Sequence, residues 1–278
     1  MKRIISISLI ITISAILCGW GGNNIMAQTK SPIAPKAEGS FRIMSYNVGV
    51  IKKFVNEEFT SDDNVKLIAE IIREAEADVV CFQELDSCTS RNQYFQLDVL
   101  SKQMGKEWRY NYAPAIPNRG GTYGSGVASK SEPIKCFDIL IPTREGSEDR
   151  VVAVMEYEDY VIASTHLNYN QNDQVELINK TMIELYADSD KPVFLGGDMN
   201  AQPGSEMMLE FEKYWKLLST VSERSVQDRM VCIDFVLQFK NNAPIAEIVN
   251  AHSILYSNAG DMWKASDHFP IYVDVKLP

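Results

Sequence analysis

The end of this chain carries Ala265-Ser266-Asp267-His268-Phe269-Pro270-Ile271, a run in which an acid and a histidine stand side by side. Gly196-Gly197-Asp198-Met199-Asn200 precedes it, followed by Ile233-Asp234-Phe235. Further upstream lie Ser45-Tyr46-Asn47, Gln83-Glu84 and Thr165-His166-Leu167. Each polar group ends or interrupts a short apolar run of strand character. Single carboxylates, amides and histidines at many strand ends build one polar site. Those residue types match metal-assisted attack on a phosphate ester. Carboxylates suit a hard divalent cation, amides hold oxygens, and histidines move protons or stabilise charge.

Taken singly, each residue has a plainer reading as well. Glu84 closes the apolar run Val79-Val80-Cys81-Phe82-Gln83, so it is either solvated or held by a partner, because a lone buried carboxylate is costly. Asn47 alone reads as a turn residue, and His166, one of three histidines, as a structural strand-end group. Asp198 and Asn200, two apart, project to one side of an extended segment or form an Asx-turn. Asp234 lies within the apolar run from Val231 to Leu237 and needs a partner. His268 is the natural one, since an Asp–His bond fixes the tautomer and favours the charged ring. Asp267 is then free to face a metal or a water. His268 meets the phosphate either as a cation or as a base. His252 belongs to no motif and reads as structural.

In order and wording these runs resemble the endonuclease/exonuclease/phosphatase superfamily over residues 41–277. That resemblance implies a four-layer α-β-β-α sandwich, with two mainly antiparallel sheets facing each other and helices outside. It makes Glu84 the main ligand of Mg²⁺ or Mn²⁺, with Asp267 and Asn47 at the metal. Asn47, Asn200 and Arg150 bind the phosphate, and Tyr123 contributes beside it. Asp198 orients or deprotonates the attacking water. His166 assists the leaving oxygen, as a proton donor or by stabilising charge. Exonuclease III-like members carry an aspartate where this chain has Gly49, which weakens the link to the repair nucleases. The implied activity is a metal-dependent phosphoester hydrolase acting on small phosphorylated molecules, as phosphodiesterase or phosphatase. An extracellular deoxyribonuclease-like enzyme is the alternative, and a catalytically dead binding protein a third reading.

Charge bears on that choice. The formal net charge is −10, and −12 without the first 27 residues, which hold Lys2, Arg3 and no acid. Contact-rich binding of long nucleic acid relies on many Lys/Arg–phosphate contacts, so an acidic chain disfavours it. Lys2 and Arg3 followed by an apolar run over residues 4–17 have the pattern of a secretory signal peptide, with cleavage expected after Ala27. An uncleaved anchor and lipidation at Cys18 are the alternatives. Export without a transmembrane segment in the mature chain, and a monomeric state, are therefore expected. Cys81, Cys136 and Cys232 adjoin apolar runs and read as buried thiols, although a Cys81–Cys88 disulfide stays open.

The supporting elements follow from periodicity. Residues 28–40 read as a flexible tether, and one domain spans 41–278. Strands are expected at 41–47, 79–82, 126–129, 134–141, 151–157, 160–166, 193–195, 231–238 and 271–277. Helices are expected at 62–77, with a capping box at Thr60-x-x-Asp63, and at 94–104, 175–186 and 206–217. Glu158-Asp159 reads as a tight hairpin, and 120–126 as a mobile glycine-rich loop that lacks the lysine ending of a P-loop. In the last strand, Ile271, Val273 and Val275 alternate with polar residues, the pattern of half burial. Substrate specificity is expected in the loops 52–60 and 105–122.

Overall fold

The computed structural model describes residues 30–52, 62–143 and 146–277; the expected signal peptide and the expected capping residue Thr60 lie outside them. In chain order the strands of the first sheet begin with β1 (Phe41–Asn47), β2 (Val79–Thr89) and β3 (Asn92–Phe95). β4 (Arg109–Asn118) and β5 (Gly121–Ser129) follow. The second sheet contains β6 (Lys135–Ile141), β7 (Arg150–Glu156), β8 (Val161–His166), β9 (Val193–Asp198), β10 (Trp215–Leu217) and β11 (Asp234–Phe239). β12 (Glu247–Ser253) and β13 (Ile271–Lys276) return to the first sheet, giving the order β12-β13-β1-β2-β5-β4 with β3 on β2. The second sheet runs β10-β11-β9-β8-β7-β6.

Helices α1 (Asp62–Glu74) and α2 (Gln96–Met104) cover one sheet with Ile68, Ile72, Leu97 and Leu100. α3 (Asn172–Tyr186) and α4 (Glu206–Tyr214) cover the other with Val175, Ile178, Met208 and Phe211. Between the sheets, Ile43, Val79, Val127, Ile162, Phe194 and Val273 interdigitate. These are four layers, α-β-β-α, each sheet buried on both faces. Gly196 lets the sheets meet closely, since a Cβ there would lie 2.7 Å from Cys81 Sγ.

Most strand pairs are antiparallel, but β1–β2 and β8–β9 are parallel. Strands buried on both faces must be apolar throughout, as Val79-Val80-Cys81-Phe82 and Val193-Phe194-Leu195 are. The polar residues of the site stand where these strands end. Asn47 and Gln83 are register partners at one end, as are His166 and Asp198 at the other.

Several elements differ from their sequence pattern. Residues 31–40 are no tether: Ile33 is buried, Ser31 Oγ donates to Glu74 Oε1 at 2.6 Å, and Lys36 pairs with Asp78 at 2.8 Å. The compact unit accordingly starts at Ser31. The glycine-rich segment is β5, and its glycines admit neighbouring carbonyls; a Cβ at Gly124 would lie 2.0 Å from Ala113 O. Only Arg119 and Gly120, with φ of 46° and 86°, form the turn before it. β13 is buried on both faces because the Asp274 carboxylate is neutralised by buried Arg42, Nε to Oδ1 at 2.6 Å. Tyr94 and Phe95 belong to β3, and Trp215–Leu217 leave the helix to pair with β11. β4 and β12 have exposed residues in place of a clean alternation, so periodicity passes over them. Asp234 opens β11 instead of sitting inside it. All four cysteines after residue 27 are unpaired, and Cys136 is exposed rather than buried.

Candidate active site

The two parallel strand pairs deliver their terminal side chains to one place. Asn47 ends β1, and its Nδ2 donates to Glu84 Oε1 at 3.1 Å and to Asp198 Oδ2 at 3.0 Å. Gly49 N donates to its Oδ1 at 3.0 Å, which fixes the amide. Asn47 therefore bridges the two sheets and holds two carboxylates at once. Glu84 reaches this point because β2 bulges against β5 between Phe82 and Leu85. Its backbone sits at φ 57°, a strained value for a residue with a side chain, and such outliers gather at functional sites.

Asp198 ends β9 and opposes Asp234 across the antiparallel β9–β11 ladder. Its Oδ1 accepts from Asn200 N at 2.9 Å. Burial, and then the charge of Asp234, push its carboxyl above the usual carboxylate range. The orphan-prone start of β11 is held by Ser225 Oγ, which accepts from Ile233 N at 3.0 Å and Asp234 N at 3.2 Å. Asp234 Oδ2 accepts from His268 Nδ1 at 2.8 Å, while Oδ1 is buried without a partner. The pairing read from the sequence is present. Burial works against a charged His268 ring, but Asp234, Asp198 and Asp267 outweigh it and push the ring up to about 10. His268 is thus an imidazolium whose Nε2 faces Asp198 Oδ2 at 3.7 Å.

His166 is its opposite. Burial, Arg150 and His268 all hold this ring well below its ordinary range, so it is neutral. Asn200 Nδ2 donates to Leu167 O at 2.8 Å, which sets the amide, and its other hydrogen reaches His166 Nε2 at 3.0 Å. The proton then resides on Nδ1, which points to Tyr123 Oη at 3.5 Å. Tyr123 is buried beside Glu84, and burial first, then that carboxylate, keep its hydroxyl protonated. Arg150 is nearly buried, its charge bears on the same hydroxyl, and it is steered by Asn168, which accepts from its Nε at 2.8 Å.

Asp267 is exposed, and its carboxylate bears on Glu84 and on His268. The terminal motif is tied to β1 by Ser266 Oγ, which donates to Asn47 O at 2.7 Å. Glu84 is raised by burial and further by Asp267, against the Asn47 amide. Glu84, with the Asp267 carboxylate acting on it, supplies the oxygen ligands that suit a hard divalent cation. Asp198, Asp234 and His268 also offer ligand atoms within 4.8 Å of one another. Their geometry is that of a hydrogen-bonded row instead, because Asp234 already occupies His268 Nδ1.

All ten residues expected at the site thus gather around this junction. Ser225 and Ser266 were not anticipated as supports. Ser266 sits in the terminal motif, whereas Ser225 lies in a loop that offers no sequence signal. His252, set aside as structural, pairs with Glu223 at 3.0 Å away from these groups.

The family model for the Endonuclease/Exonuclease/phosphatase family matches residues 44–268. The chain belongs to this family. No curated protein matched the sequence. Among solved structures, an endonuclease/exonuclease/phosphatase from Bacteroides vulgatus superposes with a TM-score of 0.67 at 14% identity, over 86% of this chain and 99% of that one. The human Nocturnin catalytic domain with bound sulfate gives 0.65 at 16% identity, over 88% and 97%. A mannosyl-6-phosphatase from Bacteroides thetaiotaomicron gives 0.63 at 14%, over 85% and 99%. At these identities the likeness shows the endonuclease/exonuclease/phosphatase fold. Family members are hydrolases of phosphoesters, and which ester this chain cleaves rests on its own residues.

Proposed function

We propose that this protein is an exported hydrolase that uses Mg²⁺ or Mn²⁺ to cleave small phosphorylated molecules by in-line attack of water on phosphorus. The observation that carries this reading is the contrast between the two histidines. One is cationic on a buried aspartate and the other neutral, and both face Asp198.

Glu84 and Asp267 would hold the cation, which supplies charge neutralisation of the phosphate. Asn47, with its amide engaged by both carboxylates, acts by positioning them. Asp198 has the raised proton affinity of a general base and takes the proton of the attacking water. His268 Nε2–H stabilises the negative charge that develops on the phosphoryl oxygens. Tyr123 Oη accepts from His166 Nδ1, which leaves its own proton to donate to a phosphate oxygen. His166 serves as a positioning residue for Tyr123 and Asn200, in place of the proton donor that the family resemblance implies. Export follows from the N-terminal sequence pattern; among the described residues no helix is long and apolar enough to cross a membrane.

The test is hydrolysis of phosphomonoesters, small phosphodiesters and DNA, assayed after chelation and after each metal is restored. Turnover of small esters that disappears with chelator and returns with Mg²⁺ or Mn²⁺ is expected. Full turnover in chelator, or cleavage of DNA alone, would overturn the reading.

A further inference from the structure

A groove of about 650 Å³ opens beside the reaction centre, and Asn200 belongs to both. The size is that of a small-molecule site. Its walls come from three connections: Tyr169, Asn170 and Asn172 beyond β8, Gln202 before α4, and Arg229 before β11. Tyr169 is 73% exposed, an aromatic face open to solvent.

The chemistry of these walls is selective. Side-chain amides both donate and accept, as does a phenol, and so do the hydroxyls of an alcohol. Phosphate oxygens only accept, and a groove built for them calls for lysine and arginine. Among the described residues lining this groove, Arg229 is the one cation. Its charge is shared with adjacent Asp228 at 3.3 Å. The acid Glu206 lines the groove as well, accepting from Asn172 Nδ2 at 3.2 Å. A second phosphate of a nucleic acid would meet one shared cation and one carboxylate there. A ring bearing hydroxyls would meet amides on its edge and Tyr169 on its face.

We propose that this groove binds the alcohol half of the substrate, and that this alcohol is compact and polyhydroxylated, a sugar or a cyclitol. The proposal rests on the hydrolase reading above and assigns its substrate class. Asn200 joins the two functions, because the amide that orients His166 also lines the alcohol's site.

The experiment measures kcat/KM with Mg²⁺ for a hexose 6-phosphate, an inositol monophosphate and phenyl phosphate. The parent protein is compared with Gln202→Ala, Arg229→Ala and Tyr169→Ala. Phenyl phosphate presents no hydroxyls, so the ratio of polyol ester to phenyl ester isolates the groove. The parent should prefer a polyol ester, and Gln202→Ala should lower that ratio roughly tenfold, the effect of one good hydrogen bond. The favoured polyol then separates the sugar from the cyclitol source. Ratios unmoved in all three variants, or a preference for phenyl phosphate or DNA, would overturn the proposal while leaving the hydrolase reading intact. Absence of turnover on every ester would refute that reading instead.

Discussion

Replacing Asp234 by Asn changes one charge and little shape, which isolates what that charge does. The parent His268 ring is pushed up to about 10, so at pH 7 it is almost wholly protonated. Relative to an ordinary imidazole the rise exceeds three units, on the order of 4–5 kcal/mol in favour of the charged form. Asn still offers an oxygen to Nδ1, so the tautomer survives. Its amide hydrogens must then occupy the place of Asp234 Oδ1, which is buried without a partner, at a cost of about 1–3 kcal/mol. With the charge gone, burial opposes only Asp198 and Asp267, and the ring pKa falls. Activity that depends on imidazolium then loses its basic limb, about tenfold per pH unit above the new value, and recovers on acidification. Folding stability carries the same sign. The raised ring contributes fully below about pH 6.5 and is lost as pH rises through about 10. In the variant that loss moves to lower pH. NMR titration of the imidazole in chelated protein, with the pH–rate profile beside it, checks both statements. An unmoved ring pKa would show that Asp234 does not control the charge of His268, and the assigned roles would fail together.

His268→Ala and Asp198→Asn should each lower kcat by at least about 10²-fold in single-turnover assays, the lower end for losing charge stabilisation or general-base function. Both side chains are buried, so circular dichroism melts must accompany the rates. Gly196→Ala should destabilise by about 1–3 kcal/mol in urea titrations, because its methyl would overlap Cys81 across the sheet interface. Asp274→Asn should cost about 3–5 kcal/mol by leaving the Arg42 guanidinium buried and half-paired, with kcat per folded molecule unchanged.

The site was more legible than its scaffolding. Glu84, Asp198 and His166 could be read because their runs stand in the order of the family they resemble; alone, Glu84 reads as a solvated strand-end acid, Asp198 as an Asx-turn and His166 as a structural group. The Asp234–His268 bond could be read because a strand acid needs a partner. What escaped depends on contacts distant in sequence. Residues 31–40 look like a linker until Glu74, Asp78 and the Arg42 guanidinium receive them. The alternation in β13 predicts a wet face that Arg42 instead covers, its guanidinium 4.0 Å from the centre of the Tyr272 ring. Specificity was expected in residues 52–60, which apart from Lys52 lie outside the described residues, and in residues 105–122, which are largely the paired strands β4 and β5. The polar groove lies after β8 and before β11, in short connections without periodicity.

The bond from Ser266 Oγ to Asn47 O spans 219 residues, and β1 pairs with β13, the last strand. The order of synthesis therefore governs when the protein can act. Asn47 emerges early, whereas Asp267 and His268 follow it by more than 200 residues. A chain not yet made past Ala265 holds Glu84, Asp198 and Asp234 without Asp267 and His268, and lacks β13, the strand that joins β12 to β1. Contacts so remote in sequence also form slowly, since loop closure precedes their reward. A chain stopped after Ala265 should lack both activity and the cooperative melt of the whole protein. Activity in that truncated chain would contradict this ordering. The fold thus assembles this site only after both of its distant halves, Asn47 on β1 and Ser266 to His268 before β13, have been made.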